Sequence, residues 1–486
     1  MKKPAIIIFL STLIFGACQE KTEINLGDEI TQIENGLLTS YRSASDSITH
    51  YNIYDRMDYY HVPGVSIAVV ENGEIKWAKG YGIADTETGK EVDPTTLFQA
   101  GSISKPVAAL GALKLMEEGK LDLDQNVNDY LQGYQVAENE FTSEEKVTVR
   151  RLLTHSAGTT VHGFPGYSQT DTFPTVIEVL NGDGNTPKVW VDTIPGSIWR
   201  YSGGGYTIME KVVEDISGQA LEVFLEEQIL KPMGMTNSTY QQPLGEKWQS
   251  NASAAYNRQG EIIDGKWHNY PEQAAAGLWT TPTDLAKYCI EIQNIKSGKT
   301  DGVLKKETVE AMLTKHLNEW GLGPALSGEG DDLLFRHGGK NAGFSNNLVA
   351  FANSGEAVII MTNADQGVSL MAEILRSVSD FYDWDISNQE VLETIPLPEE
   401  HLQEYLGTYL LDEQVPGIGD YFIDVAIVDG KFQVNDPNNG EVNILSALTP
   451  DKYFDLTTGN QVNLEKNGDE LLIIFDGRFT FHKQKE

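Results

Sequence analysis

The stretch FQAGSISKPVAALGAL, Phe98–Leu113, decides how the rest of the chain is read. It places Lys105 three residues after Ser102. Beyond them Val107, Leu110, Leu113 and then Leu115 or Met116 recur with a helical period, and Pro106 falls in a first turn, where proline is tolerated. Ser102 therefore stands where a loop enters a helix. Positions three apart share a helical face, so the lysine can reach the serine hydroxyl. A lysine that takes a proton from that hydroxyl must itself be neutral, which requires burial or a neighbouring cation. Gly101, Ile103, Pro106, Val107 and Ala108 supply small and apolar surroundings. The spacing alone is cheap. SEEK, Ser143–Lys146, repeats it within ENEFTSEEKVTVRR, where the lysine is expected to be solvated and paired with Glu144 or Glu145. Helix capping, an ordinary task for a serine at a helix start, is the alternative for Ser102.

The flanking pattern gives the architecture. GVSIAVVENGEIKWAKGYGIAD is two β-rich runs around Asn72-Gly73, a strong hairpin signal. Between roughly residues 122 and 315 helices and loops dominate, as in YTIMEKVVEDIS, stopped by Gly218, and ALEVFLEEQIL, ended at Lys231-Pro232. From Leu333 the period returns to two in LLFRHGG, FSNNLVAFAN and GEAVIIMTNAD, followed by the helical run SLMAEILRSVSDFYDW. Strands at both ends with helices between predict one sheet assembled from distant pieces, an α+β layer arrangement. SNQEVLETIPLPEEHLQEY, acidic and with two prolines, reads as a linker. Beyond Tyr405, turns at Asp429-Gly430, Asn438-Asn439-Gly440, Thr458-Gly459, Asn467-Gly468 and Asp476-Gly477 predict a barrel or sandwich of about eight strands.

Composition narrows the function. The 486 residues suit two domains, and 40% hydrophobic with 22% charged residues is ordinary for a globular chain. The net charge of −35, from 71 acidic against 36 basic residues, repels nucleic acid and excludes it as a partner. Gly-x-Ser-x-Gly is absent, so the strand-turn-helix nucleophile elbow is excluded. No His-Glu-x-x-His or paired-cysteine pattern points to a metal, and no phosphate loop follows a strand, so neither metal nor cofactor is expected. Cys289, in the helical DLAKYCIEIQNI, reads as a buried small apolar residue.

Further segments join Ser102 and Lys105 in a set. Tyr201 opens YSGGGY, His337-Gly338-Gly339 closes a predicted strand in FRHGGKNAGF, and RRLLTHSAGTT and AAAGLWTTPTDLAKY complete it. In this order the set resembles the serine β-lactamase and penicillin-binding-protein superfamily, nearest its class C-like branch of esterases, D-stereospecific peptidases and β-lactamase-related hydrolases. The likeness runs from Asp46 to Trp384. It implies an antiparallel sheet flanked by helices with an all-helical insertion. It also implies Ser102 as nucleophile of an acyl-enzyme, with Lys105 and Tyr201 as proton carriers. His337, Gly338, Gly339 and Lys340 would line the substrate strand, and the Ser102 and Lys340 amides would form the oxyanion hole. Two departures stand out. The family's Tyr-x-Asn is Tyr201-Ser202-Gly203, and the lysine of its Lys-Thr-Gly is His337. Arg336 and Lys340 point away from the His337 face if the strand alternates. These changes argue against an efficient β-lactamase. They favour a hydrolase of esters or amides acting on a small molecule or peptide, with a D-peptidase, a DD-carboxypeptidase or a weak β-lactamase as alternatives. A catalytically inert envelope protein that binds or senses a ligand is the rival of another class. His155 reads as a hydrogen-bonded structural histidine and Trp279 as a packing residue. The C-terminal part resembles the small lipocalin-like domain often appended to these hydrolases.

The N-terminus MKKPAIIIFLSTLIFGACQEKTE has two lysines, a short apolar run and a small-residue ending before Cys18. Phe-Gly-Ala-Cys resembles a bacterial lipobox, which implies cleavage before Cys18 and its lipidation. The expected organisation is a lipoprotein signal over 1–18, a tether with the start of a helix over 19–45, a hydrolase domain over 46–390 and a barrel over 398–486. The expected location is the bacterial envelope, periplasmic or at the cell surface, anchored only through lipid.

Overall fold

The computed structural model describes residues 25–415 and 417–484. Cys18 and the expected signal lie outside them. Among the described residues no helix is long and apolar enough to cross a membrane.

The centre is a seven-stranded antiparallel sheet. In chain order its strands are β1 (Gly64–Glu71), β2 (Glu74–Asp85), β3 (Lys90–Glu91), β4 (Ala325–Ser327), β5 (Leu334–Asn341), β6 (Phe344–Phe351) and β7 (Ala357–Thr362). In space they run β3-β2-β1-β7-β6-β5-β4, so the two ends of the domain meet where β1 pairs with β7, Val65 opposite Thr362. The β1–β2 hairpin turns at Asn72 and Gly73, both with positive φ, as the Asn-Gly signal requires. Strand β1 is buried on both faces and its residues alternate between two cores. Val65, Ile67 and Val69 pack with Leu370, Ile374 and Val378 on one side, whereas Ala68 and Val70 join the core of the helical insertion on the other.

Five helices organise the layers: α1 (Leu26–Glu34), α2 (Ser104–Glu117), α3 (Gly203–Ser217), α4 (Pro282–Ser297) and α5 (Gly367–Tyr382). Helix α2 is buried nearly all round, from Ser104 to Leu113 without a break. It is the axis of the helical insertion, not an amphipathic cover on its surface. Cys289 is fully buried on α4, and Trp279 is fully buried in a two-residue strand paired with Phe98–Gln99.

Two segments read as connectors are docked. Within the stretch read as a tether with the start of a helix, the described residues 25–45 carry α1, which packs against α5, and Ser377 Oγ donates to the Ile33 carbonyl. Likewise the acidic linker is docked. Its Glu390–Leu392 pairs in parallel with Tyr41–Ser43, and Ile395 bridges to Ala447 of the C-terminal domain. These short pairings carry no hydrophobic period, so polar composition concealed them. The C-terminal domain closes as an eight-stranded antiparallel barrel from Gly407–Leu411 to Phe479–Lys483. Tyr409, Phe432, Val434, Tyr453, Val462 and Ile473 fill its interior.

A buried ion pair ties helix Ile53–Tyr59 to α5. Arg56 Nε donates to Glu373 Oε2 at 2.7 Å, and the Tyr60 hydroxyl donates to Oε1 at 2.7 Å. Replacing Glu373 by leucine leaves the guanidinium buried and unpaired, which should cost about 3–5 kcal/mol in denaturant unfolding. A loss below about 1 kcal/mol would mean that Arg56 finds another partner.

Candidate active site

The turn that carries Ser102 is fixed before its helix begins. Gly101 has a φ of +54° and Ser102 lies in a short 3-10 turn, Gly101–Ile103, that feeds α2. Ser104 Oγ donates to the Gly101 carbonyl at 2.6 Å and accepts from the Leu278 amide at 3.0 Å. Side-chain amides clamp the preceding strand to the sheet. Asn341 Nδ2 donates to Gln99 Oε1 at 2.9 Å, and Asn346 Nδ2 donates to the Gln99 carbonyl at 2.8 Å. Two glycines let the turn and strand β5 touch. A Cβ on Gly339 would lie 1.9 Å from the Ala100 carbonyl, and one on Gly101 would lie 2.5 Å from the Lys340 amide nitrogen. The Lys340 amide is thereby held against the Gly101–Ser102 peptide.

Lys105 is 2% exposed. Its Nζ lies 3.0 Å from Ser102 Oγ, hydrogen-bonded to it, and donates to the Ala275 carbonyl at 2.8 Å. Burial pushes its pKa down to about 7, and no carboxylate counters that shift. The other Ser-x-x-Lys behaves differently. Lys146 is half-buried at the surface and pairs with Glu138 at 2.8 Å, not with Glu144 or Glu145 as expected.

Tyr201 reaches the same point from the loop before α3, its ring centroid 4.9 Å from Lys105 Nζ. Its hydroxyl is buried without a hydrogen-bond partner. Burial raises its pKa, and the nearby Ser102 side chain offsets this only in part. The glycines after Tyr201 are closely packed. A Cβ on Gly203 would lie 2.7 Å from the Phe164 ring, so an asparagine there would have to displace that ring. Ser202 instead caps α3, its Oγ accepting from the Gly205 amide at 2.9 Å.

His337 stands where the alternation of β5 places it, buried, while Arg336, Gly338 and Lys340 take the exposed side. Its Nδ1 donates to the Gly338 carbonyl at 2.6 Å, and Nε2 is buried with no partner. Burial, helped by the Lys105 charge, pulls its pKa down to about 3. It is neutral throughout the working range of an enzyme. Lys340 is ion-paired with Asp365.

Three aromatic residues complete the wall. His155 packs 4.2 Å from Tyr201 and 4.9 Å from Trp320 between ring centroids, and Trp199 lies 5.4 Å from Trp320. His155 Nδ1 accepts from the Ser202 amide at 3.1 Å, as expected of a hydrogen-bonded structural histidine. Burial holds its pKa well below the usual range. Nothing in the local sequence marked Trp199 or Trp320, because each lies in a loop without periodicity. The assembled cavity is about 730 Å³ and takes in Ser102, Tyr201, His337, Gly338, Gly339 and Lys340 together. Among the described residues no cluster of three or more histidine, cysteine or acidic side chains could hold a metal.

The chain is 24% identical over 317 residues to Protein flp of Staphylococcus aureus (strain MW2), covering 62% of this chain and 60% of that protein. The match thus spans well under two thirds of the relative. The octameric penicillin-binding protein homologue from Pyrococcus abyssi superposes with a TM-score of 0.61 at 24% identity, covering 89% of this chain and 98% of that one. A class C beta-lactamase superposes with a TM-score of 0.52 at 22% identity, covering 66% and 93%. The family described as Beta-lactamase matches residues 52–380, and this chain belongs to it.

Proposed function

We propose that this protein is a serine hydrolase that cleaves an ester or amide through an acyl-enzyme on Ser102. The observation that carries the reading is Lys105, enclosed without a carboxylate partner and hydrogen-bonded to the Ser102 hydroxyl. At pH 7 an ordinary lysine is neutral in about one molecule in three thousand, and one with a pKa of about 7 in about half. In the first half-reaction Ser102 Oγ attacks the carbonyl carbon and its proton passes to Lys105 Nζ. The bond to the leaving group then breaks as that group takes a proton from Tyr201, which recovers one from Lys105. Water then attacks the acyl carbon, its proton passing through Tyr201 and Lys105 to Ser102 Oγ as the acyl–oxygen bond breaks, which releases the acid and restores the serine hydroxyl. The Ser102 and Lys340 amides hold the oxyanion, a contribution of about 10²–10³-fold in rate per donor.

Substrate recognition departs from that of a β-lactamase. A neutral His337 supplies no charge for a carboxylate, and Gly203 supplies no side-chain amide for a substrate amide. An ester or a neutral amide meets fewer unfilled demands in this site than a β-lactam or a D-alanyl-D-alanine terminus. The apolar run before Cys18 supports attachment to an envelope membrane by lipid on that cysteine. Cys18→Ser should then move the protein from the membrane fraction to the soluble fraction.

An activated aryl ester should give a burst of one equivalent followed by slower turnover, and Ser102→Ala should abolish both. Intact-mass analysis after a fluorophosphonate should place one adduct on Ser102. An unlabelled protein would favour the inert-binder reading. Acylation needs neutral Lys105, so kcat/KM should rise with pH through a midpoint near 7 and fall about tenfold per unit below it. Lys105→Arg, which cannot lose its proton, should reduce kcat/KM by roughly 10²–10⁴-fold. A profile flat down to pH 5 would assign the base elsewhere.

A further inference from the structure

Lys105 is aimed by a backbone group that is itself held by a side chain. A neutral amine carries two N–H bonds and one lone pair, and rotation about Cε–Nζ can turn any of the three toward Ser102. The Ala275 carbonyl, 2.8 Å from Nζ, can only accept. It takes one N–H and excludes the lone pair from its own direction. The pair is then free to face the Ser102 hydroxyl, whose oxygen is 3.0 Å away. Proton transfer therefore depends on where Ala275 stands. That residue lies in the helix Gln273–Ala276, a single turn packed against both α2 and α3 and too short to fix itself.

The Ala275 and Ala276 amides of that turn bond to the Glu272 carbonyl at 3.1 and 2.9 Å. The Ala274 amide is one of those that a helix start leaves without an internal partner, and Glu272, the N-cap residue, makes no side-chain cap. The partner comes from another helix: Glu210 Oε2 on α3 accepts from the Ala274 amide at 2.8 Å. Glu210, Ala274 and Ala275 are all fully buried. A carboxyl at that depth is unfavourable, and among the described residues Glu210 has no cationic partner and no bond at all to its Oε1. The titratable groups near it are Glu214, Glu272 and Tyr240, none of them a cation. Its neighbours Met209, Val212 and Val213 are buried apolar residues, among which a leucine would pack without that penalty. What the carboxyl supplies and a leucine would not is an acceptor for Ala274. Helix α3 begins directly after Tyr201, so one helix places the tyrosine at its start and steadies the lysine's acceptor about two turns further on.

We propose that Glu210 is a positioning residue for Lys105, acting through the Ala274 amide and the Ala275 carbonyl. The proposal rests on the serine-hydrolase reading of Ser102. Glu210 touches neither substrate nor Ser102; it sets the direction in which the amine presents its lone pair.

The test is the pH profile of kcat/KM for p-nitrophenyl acetate, which reports acylation, in Glu210→Leu, Glu210→Asp and Glu210→Gln. Leucine removes the acceptor and aspartate draws it back by one methylene. Both should lower the plateau, leucine by roughly 10–100-fold. A carbonyl that turns away also stops favouring the ammonium, so the midpoint should move down by roughly half a unit to one unit. Glutamine keeps an oxygen for the Ala274 amide and should restore the midpoint, with a plateau within about threefold of the unaltered protein. A variant with fewer folded molecules lowers the plateau and leaves the midpoint, so a purely structural role is told apart. If Glu210→Leu does not fold, Glu210→Asp carries the same readout. An undiminished plateau in the leucine and aspartate variants overturns the proposal, as does a lowered plateau with a fixed midpoint, or a glutamine variant as impaired as leucine. If acetate hydrolysis is absent, or survives Ser102→Ala, the serine-hydrolase reading itself fails. Hydrolysis that needs Ser102 but ignores Glu210 sinks the positioning role alone.

Discussion

Lys105 holds its amine inside a packed core with two oxygen partners, the Ser102 hydroxyl and the Ala275 carbonyl. A charged ammonium in that position would have to be desolvated, which is why the neutral form gains ground there. The rest of the site preserves that balance. His155 and His337 are held neutral by the same burial. The carboxyls of Glu210 and Glu272 lie behind the short helix that carries Ala275, Glu210 accepting from the Ala274 amide at 2.8 Å. Burial raises both, Glu272 to about 8. Uncharged carboxyls do not draw a proton back onto the lysine, as an ionised one would.

The second requirement is contact between two backbones far apart in the chain. Ser102 lies on a turn leading into the helical insertion, and Lys340 on a strand that follows it, yet their peptides must converge. Glycine at 101 and at 339 makes that approach sterically possible, and the amides of Gln99, Asn341 and Asn346 lock it. A helix packed all round then carries Lys105 at a fixed angle to Ser102. Layered packing sets the global positions, and a few hydrogen bonds set the final geometry.

How much of this was legible depends on how locally each feature is encoded. Ser102 and Lys105 were readable because a helical turn relates them, and their apolar neighbours announced the burial. Asn72-Gly73 and the five turn signals after Tyr405 were readable because turn chemistry is local. Tyr201 and His337 became readable only as members of an ordered set. Trp199 and Trp320 were not, because they meet through loops more than a hundred residues apart. The part of α5 that lines the cavity, Val368, Met371, Ala372 and Leu375, was hidden for another reason: its apolar period is what any core-facing helix shows. Helix α1 was legible only as the start of a helix, because nine residues, most of them polar, carry it.

Strand β4 is three residues long and pairs with β5 only as far as Arg336. Among the described residues no strand covers 337–341 on that side. A row of unpaired backbone groups on a sheet edge is a template for any extended chain, including another copy of the same protein. A strand laid along this edge would close the entrance to the cavity that holds Ser102. Arg336 and Lys340 place charge along it, and 35 net negative charges keep copies of the whole molecule apart in solution. The acidity of the chain then serves colloidal stability, protecting an opening that the chemistry forbids it to seal.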